Sequence, residues 1–123
     1  MNILLWQAAV LPGQEQELEF FANTGLLQFF QQQQGCLGVS FLQQGQQFQC
    51  VSYWHQQQDA QQMLTSPAYQ QLMLLLLQRY LVTAMPAGFA QIQGGFLSRQ
   101  AQQQLAYCHA TETTAPRPAL AYR

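Results

Sequence analysis

Lysine is absent from this 123-residue sequence, and charged residues of both signs make up only 7% of it. An ordinary soluble domain has about 25% charged residues. Nucleic-acid affinity depends on lysine and arginine contacts to phosphate, so a net charge of -1 without a basic cluster argues against that function. The same shortage argues against electrostatic docking on an anionic membrane. We therefore expect a binding partner that is uncharged or weakly charged, and little repulsion between copies of the chain.

Glutamine takes the place of the missing charges, with 27 residues in the chain. Most of them stand where a surface helix or turn would normally carry lysine or glutamate. One interpretation is that an uncharged polar residue has replaced charged ones on solvated faces. The other is a glutamine-rich assembly segment, for which the longest run, residues 31–34, is short.

Long apolar runs are also missing, because a membrane-spanning helix needs about 20 such residues. The N-terminal stretch has no basic residues before its apolar run, and Pro12 and Gly13 interrupt it, so we expect neither a signal peptide nor a membrane span. The cysteines Cys36, Cys50 and Cys108 show no metal-ligand spacing, and no metal site is predicted. Buried free thiols fit a reducing, cytoplasmic location.

The hydrophobic pattern predicts one α+β domain with the element order β-α-β-β-α-β. Ser66 and Pro67 mark a helix start, since serine caps helices and proline is favoured in the first turn. Gly25 weakens the middle of the first helix, which suggests close packing or a break. The predicted elements are a strand at 2–11, a helix at 14–33, a hairpin of strands 36–42 and 48–55, helices at 57–64 and from 66 onward, a fourth strand at 89–97 and a terminal helix at 98–109.

This order is the ferredoxin-like split βαβ arrangement, in which two helices cover one face of a four-stranded sheet. The predicted strands are small or apolar on both faces, so the open face also needs a cover. A second copy packed sheet to sheet supplies it, which predicts a homodimer whose two sheets form an α/β barrel. We assign residues 1–97 to this domain and 98–123 to a C-terminal helix and extended tail.

A resemblance to the antibiotic biosynthesis monooxygenase family, of the dimeric α/β barrel superfamily, rests on the runs GCLGVSFL and CVSYWHQQQDAQQMLTSPAYQQL. In that family a Gly-Cys/Phe-Leu-Gly-type strand precedes a strand that ends in an aromatic-Trp pair. A polar linker, a short helix and a serine-led helix start then follow. The match covers residues 2–97. It implies a pocket between the sheet and the helices for a small apolar or aromatic molecule.

The resemblance leaves two functions open. One is a cofactor-independent monooxygenase that oxidises a small aromatic or quinol-like substrate with O2, needing no flavin or metal because the deprotonated substrate passes an electron to oxygen directly. The alternative is a non-catalytic dimeric binding or accessory protein, which the scarcity of acid-base residues favours. Haem degradation is not expected, because the positions at which the haem-degrading branch needs Asn, Trp and His hold Trp6, Met63 and Met73 here.

Six residues are candidates for the pocket. Trp54 matches the strand-end tryptophan of the family, and His55 follows it where family members usually have an acidic residue. We predict catalytic roles for Trp54, His55 and Tyr69: pocket wall, general base and hydrogen-bond donor to a quinol oxygen. Each also has a plain structural role available, as a core aromatic, a half-exposed polar residue and a packing residue. Predicted substrate-binding residues are Trp6, Asn23 and Met73.

Strand geometry limits which of these residues can face the same pocket. Side chains alternate along a strand, so Trp54 lies on the opposite face from Tyr53 and His55. If Trp54 faces the helices, Tyr53 and His55 face the partner sheet.

Overall fold

A computed structural model describes residues 1–84 and 87–105 of the chain, except the side chain of residue 84. Its strands are β1 (Asn2–Val10), β2 (Cys36–Gln44), β3 (Gln47–Trp54), β4 (Leu81–Ala84) and β5 (Gly88–Gln91). The helices are α1 (Glu15–Phe21), a π-helical turn (Ala22–Leu26), α2 (Leu27–Gln31), α3 (Gln57–Leu64) and α4 (Pro67–Arg79). All strand pairs are antiparallel, in the order β2-β3-β1-β4, and β5 also pairs with β1. The predicted ferredoxin-like α+β fold is confirmed.

The first helical region contains a π-helical turn that the sequence did not specify. Gly25 lies in it, and a Cβ atom there would stand 2.5 Å from Cε1 of Phe21. The ring of Phe21 in turn stacks on Tyr80, with centroids 5.6 Å apart. The glycine thus serves close packing rather than a helix break.

The predicted fourth strand at 89–97 is partly wrong. Two short strands replace it: β4 pairs with the end of β1, and β5 pairs with its beginning. Residues 92–97 form no strand, and Gly95 has φ 126°, outside extended strand geometry. The strand at Leu81 was not predicted because the apolar positions of the helix recur at helical spacing as far as Tyr80, beyond Gln78 and Arg79, and so extend to the start of the strand. Tyr80 ends the helix, and its carbonyl accepts from the backbone N–H of Leu11 at 2.7 Å.

The buried core lies between the sheet and the helices. Alternate residues of the central strands point into it, as the period of two requires. They are Leu4, Trp6, Ala8 and Val10 on β1, and Phe48, Cys50, Ser52 and Trp54 on β3. The helices contribute Leu18, Ala22, Leu26, Phe30, Ala60, Met63, Tyr69 and Leu76.

The opposite face of the sheet is open and mixed in character. Leu5 is 39% exposed and Leu42 is 48% exposed. Between them on this face, Gln49 Nε2 donates to Gln7 Oε1 at 2.9 Å. The open face is therefore apolar in part, as predicted, and a pair of glutamines lies at its centre.

The chain divides into a compact unit, Met1–Ile92, and a second unit that begins at Gln93. In the second unit, residues 99–105 are helical and Ser98 Oγ accepts from the backbone N–H of Ala101 at 3.0 Å, as a cap does. The rest of the predicted helix 98–109 and the tail lie outside the described residues. Across 1–84 and 87–105, no helix has the length and apolar content to cross a membrane.

Candidate functional site

The helix-facing side of the sheet presents side chains in rows that cross three strands. Trp6 of β1 stands opposite Cys50 of β3, which stands opposite Phe41 of β2. Directly opposed residues of antiparallel strands have Cβ atoms about 5 Å apart. Phe48, one row further, has its ring centroid 5.8 Å from that of Trp6 and 6.0 Å from that of Phe41. Three aromatic rings thus form a continuous strip around Cys50, which we call the aromatic strip.

Trp54 is fully buried at the end of β3, on the same face as the aromatic strip. Its Nε1 donates to Ser52 Oγ at 2.8 Å, and Ser52 Oγ donates to the carbonyl of Leu4 at 3.4 Å. The one polar atom of this side chain is therefore used within the protein. Trp54 has the geometry of a fixed wall of the buried layer.

His55 is exposed and lies just beyond the last residue of β3. Its backbone N–H donates to the carbonyl of Gly35 at 3.0 Å, and its own carbonyl accepts from Asn2 Nδ2 at 3.4 Å. Tyr53 lies on the open face, with its hydroxyl 3.5 Å from Ser40 Oγ. The structure therefore does not bring the side chain of His55 into the buried layer that holds Trp54.

Tyr69 reaches the buried layer from the first turn of α4 and is 9% exposed. Ser66 fixes this turn, because its Oγ accepts from the backbone N–H of Tyr69 at 3.2 Å and donates to the carbonyl of Met63 at 2.7 Å. The ring centroid of Tyr69 is 6.4 Å from that of Phe29. The predicted start of α4 at Ser66 and Pro67 is thus confirmed, and it positions the phenol.

The ionisable groups of this layer are held neutral. Burial, and to a smaller extent Cys50, raises the pKa of Tyr69 to about 12. Burial also raises the pKa of Cys50 far above its ordinary value, with Cys36 adding to the effect. Both shifts have desolvation as their main cause, because removal from water disfavours the charged form. At neutral pH the layer therefore offers a phenol and a thiol rather than their anions.

Trp6 is 3% exposed, and its indole N–H has no hydrogen-bond acceptor among the described residues. Asn23 differs, because its Nδ2 donates to the carbonyl of Glu19 at 3.0 Å on its own helix. Met73 is half-buried and packs against the core from α4. Trp6, Trp54, Tyr69 and Met73 thus share one packed cluster, whereas Asn23 lies within the π-helical turn and His55 lies outside the cluster.

Two residues beside this cluster were not predicted as part of the site. Cys50 lies at the centre of the aromatic strip, and Ser52 holds the indole of Trp54. Both have the same strand parity as Trp54, so counting back in steps of two along β3 is the signal that identifies them. Among the described residues, no group of three or more His, Cys, Asp or Glu side chains is placed to hold a metal ion.

Comparison with known proteins identifies the fold class. No family model matches the sequence, and no curated protein does. The cofactor-independent oxygenase SnoaB from Streptomyces nogalater has a TM-score of 0.62 and 15% identity, over 77% of this chain and 95% of its own. An antibiotic biosynthesis monooxygenase structure has a TM-score of 0.61 and 11% identity, over 76% of this chain and 100% of its own. A protein of unknown function from Nitrosomonas europaea has a TM-score of 0.62 and 17% identity, over 79% and 93%.

These identities are low, and what they establish is the fold. The chain has the α+β sandwich of the antibiotic biosynthesis monooxygenases. The resemblance found in the sequence is confirmed at that level.

Proposed function

We propose that this protein is a cofactor-independent monooxygenase that oxidises a small aromatic or quinol-like molecule with O2. The observation that carries the proposal is the buried layer between sheet and helices, where the aromatic strip lies in the same packed cluster as the neutral phenol of Tyr69. Aromatic rings offer stacking and edge contacts to a planar substrate. The fold shared with SnoaB, described as a cofactor-independent oxygenase, supports the reaction class.

The reaction balances without a cofactor. An electron-rich aromatic such as anthrone loses a proton, and its anion transfers one electron to O2. The two radicals combine to form a carbon–oxygen bond, the resulting peroxide anion takes up a proton, and the hydroperoxide so formed loses water. One oxygen atom of O2 remains in the product as the new carbonyl of anthraquinone, and the other leaves as water.

In this proposal the predicted residues have different roles in the reaction. Trp54 is the fixed wall, and Tyr69, whose phenol stays protonated at neutral pH, donates a hydrogen bond to the substrate oxygen. His55 is exposed beyond the end of β3 and outside the buried layer, so it does not contact the substrate there, and the substrate proton is released to water. Met73 borders the layer from α4, whereas the side chain of Asn23 in the π-helical turn is bonded to the carbonyl of Glu19.

Oxygen consumption with anthrone tests the proposal. Purified protein in chelator-treated buffer should consume O2 and form anthraquinone in equal amounts, faster than the same protein after heat denaturation. Tyr69→Phe should lower kcat roughly 100-fold, the loss typical of a donor to a developing oxyanion. A wild-type rate no higher than the heat-denatured control, across anthrone and simple quinols with folding verified, would rule out the reaction.

A second candidate function is binding without chemistry. The observation that favours it is the neutrality of the buried groups, since Tyr69 and Cys50 both resist ionisation and the one imidazole among the described residues, that of His55, is exposed. Ligand-dependent thermal stabilisation with no product would establish this function in place of oxidation.

We also propose that the chain forms a homodimer through the open face of the sheet. The support is the partly exposed apolar set on that face, Ile3, Leu5, Leu42 and Val51, which a monomer leaves in contact with water. A two-fold axis would bring the Gln7–Gln49 pairs of both copies to the centre of the contact.

We infer a reducing, cytoplasmic site of action. The support is that Cys36 and Cys50 are both free thiols. Mass spectrometry after alkylation of freshly lysed cells should find both unoxidised, and recovery of either in a disulfide would contradict the inference.

A further inference from the structure

The two tryptophans of this chain differ in the hydrogen bonding of the indole N–H. Both are buried on the helix-facing side of the sheet, Trp6 on β1 and Trp54 on β3. The indole N–H of Trp54 donates to Ser52 Oγ at 2.8 Å. The indole N–H of Trp6 has no acceptor among the described residues. One buried donor is therefore satisfied within the protein and the other is not.

The side chains around Trp6 explain why its indole N–H has no hydrogen-bond acceptor among the described residues. Phe48 lies beside its ring, Cys50 stands opposite it on β3, and Leu4 and Ala8 follow it on the same strand face. These side chains are apolar or, for Cys50, a neutral thiol. The great majority of buried donors in proteins have an acceptor, and an unsatisfied one destabilises the fold. A phenylalanine would fill much of this position without that cost.

We propose that the indole N–H of Trp6 donates a hydrogen bond to an acceptor oxygen of a bound aromatic molecule and so selects ligands that carry such an oxygen. The inference rests on the proposed function in that it uses the same buried layer. It adds the chemistry of the ligand: a ring system with a carbonyl or phenolic oxygen placed over the aromatic strip.

The distribution of charged residues also indicates whether the oxygen of the ligand is neutral or charged. The sequence has no lysine, and the two arginines in the described residues, Arg79 and Arg99, are exposed. A carboxylate beside Trp6 would lack a buried cation, and burying an unpaired charge is unfavourable. The oxygen that Trp6 selects therefore belongs to a neutral carbonyl or a phenol rather than to an acid.

Nitrogen-15 tryptophan labelling tests this directly, because a chain with two tryptophans gives two indole N–H signals. The probes are 1-tetralone and tetralin, which share a bicyclic shape and differ in the carbonyl. We expect 1-tetralone to move the Trp6 indole proton downfield, as a new hydrogen bond does, while the Trp54 signal stays in place. Tetralin should produce no downfield shift. Trp6→Phe, which removes one signal, assigns the two.

Binding affinities give a second measurement. Trp6→Phe should weaken 1-tetralone binding roughly fivefold to tenfold and leave tetralin binding unchanged, so the preference for the ketone disappears. Ser40→Ala is the control, since Ser40 lies on the open face beside the hydroxyl of Tyr53 and its loss leaves the buried donors unchanged, so this variant should keep the preference. If Trp6→Phe does not fold, 3-benzothienylalanine at position 6 keeps the shape of the indole and removes the donor.

The possible results separate this inference from the proposed oxidation. A downfield shift of the Trp6 signal with 1-tetralone, in a protein that consumes no oxygen with anthrone, would support the donor role of Trp6 and contradict the proposed oxidation. Turnover of anthrone with an unchanged KM in Trp6→Phe upholds the reaction and overturns the donor role. An unmoved Trp6 signal at saturating 1-tetralone, or equal affinity for the two probes, also overturns it.

Discussion

At the scale of single residues, the buried layer is defined by which polar atoms have partners. Ser52 bridges Trp54 Nε1 and the carbonyl of Leu4, and so connects β3 with β1 on the helix-facing side. Tyr69 and Cys50 are protonated at neutral pH, and burial raises the pKa of both further above their ordinary values. The layer therefore combines aromatic surface with uncharged hydrogen-bonding groups, which suits a neutral aromatic ligand.

Ser52→Ala should lower the free energy of unfolding by about 1–3 kcal/mol, because it leaves the buried N–H of Trp54 without an acceptor. Urea denaturation followed by tryptophan fluorescence measures the change. Ser40→Ala is the control: Ser40 is half-buried on the open face, 3.5 Å from the hydroxyl of Tyr53, and its loss should cost less than about 1 kcal/mol. Equal losses for the two variants would contradict the role given to Ser52.

Stability should fall at alkaline pH through Cys50 and Tyr69. Both have folded-state pKa values raised by burial, to about 12 for Tyr69, so their contribution is complete below the unfolded-state values of 9.0 and 10.0. Above those values the unfolded chain releases protons that the folded chain retains, and stability declines by about 1.4 kcal/mol per pH unit for each such group.

Urea titrations between pH 8 and pH 11 measure this decline. Cys50→Ala should remove the part that begins near pH 9, and Tyr69→Phe the part that begins near pH 10. A wild-type stability that stays flat across this range would show that neither group is buried as described.

At the scale of the elements, Gly35 joins the end of the first helical region to β2. It has φ 81°, and a Cβ atom there would overlap the side chain of Asp59 from α3. Its carbonyl also accepts from the backbone N–H of His55. One glycine thus allows α3, β2 and the end of β3 to approach each other.

Gly35→Ala should be more damaging than Gly45→Ala. Both glycines have positive φ, 81° and 61°, but Gly45 has open space where a Cβ atom would stand. Backbone strain alone costs about 1–2 kcal/mol in each variant, and Gly35→Ala must also displace Asp59. Thermal unfolding of the two variants measures the difference, and an equal loss would show that Asp59 moves aside freely.

At the scale of the whole molecule, one face of the sheet is covered by helices and the other is open. The apolar residues of the open face are interrupted by the Gln7–Gln49 pair, so a partner there must satisfy amides as well as cover apolar surface. In the proposed dimer a second copy related by two-fold symmetry would do both, because it would present the same amides and the same leucines.

Leu5→Arg should convert the proposed dimer into a monomer, because it places a charge within the apolar part of the contact. Sedimentation velocity measures the mass of the assembly. Leu74→Arg is the control, since Leu74 is 59% exposed on α4, away from the sheet. A wild-type protein that sediments as a monomer, or a Leu5→Arg variant that stays dimeric, would contradict contact through this face.

Sequence pattern alone determined the element order, the helix start at Ser66 and Pro67, and the likeness to the antibiotic biosynthesis monooxygenases, because these depend on local periodicity, caps and short motifs. It failed at Leu81, because the apolar positions of the helix recur at helical spacing as far as Tyr80 and conceal the end of the helix. Only the tertiary structure decided that Trp54 faces the helices with its N–H used by Ser52, that His55 stays outside, and that Trp6 keeps an unpaired donor. Those outcomes depend on cross-strand register and on contacts between residues far apart in the chain.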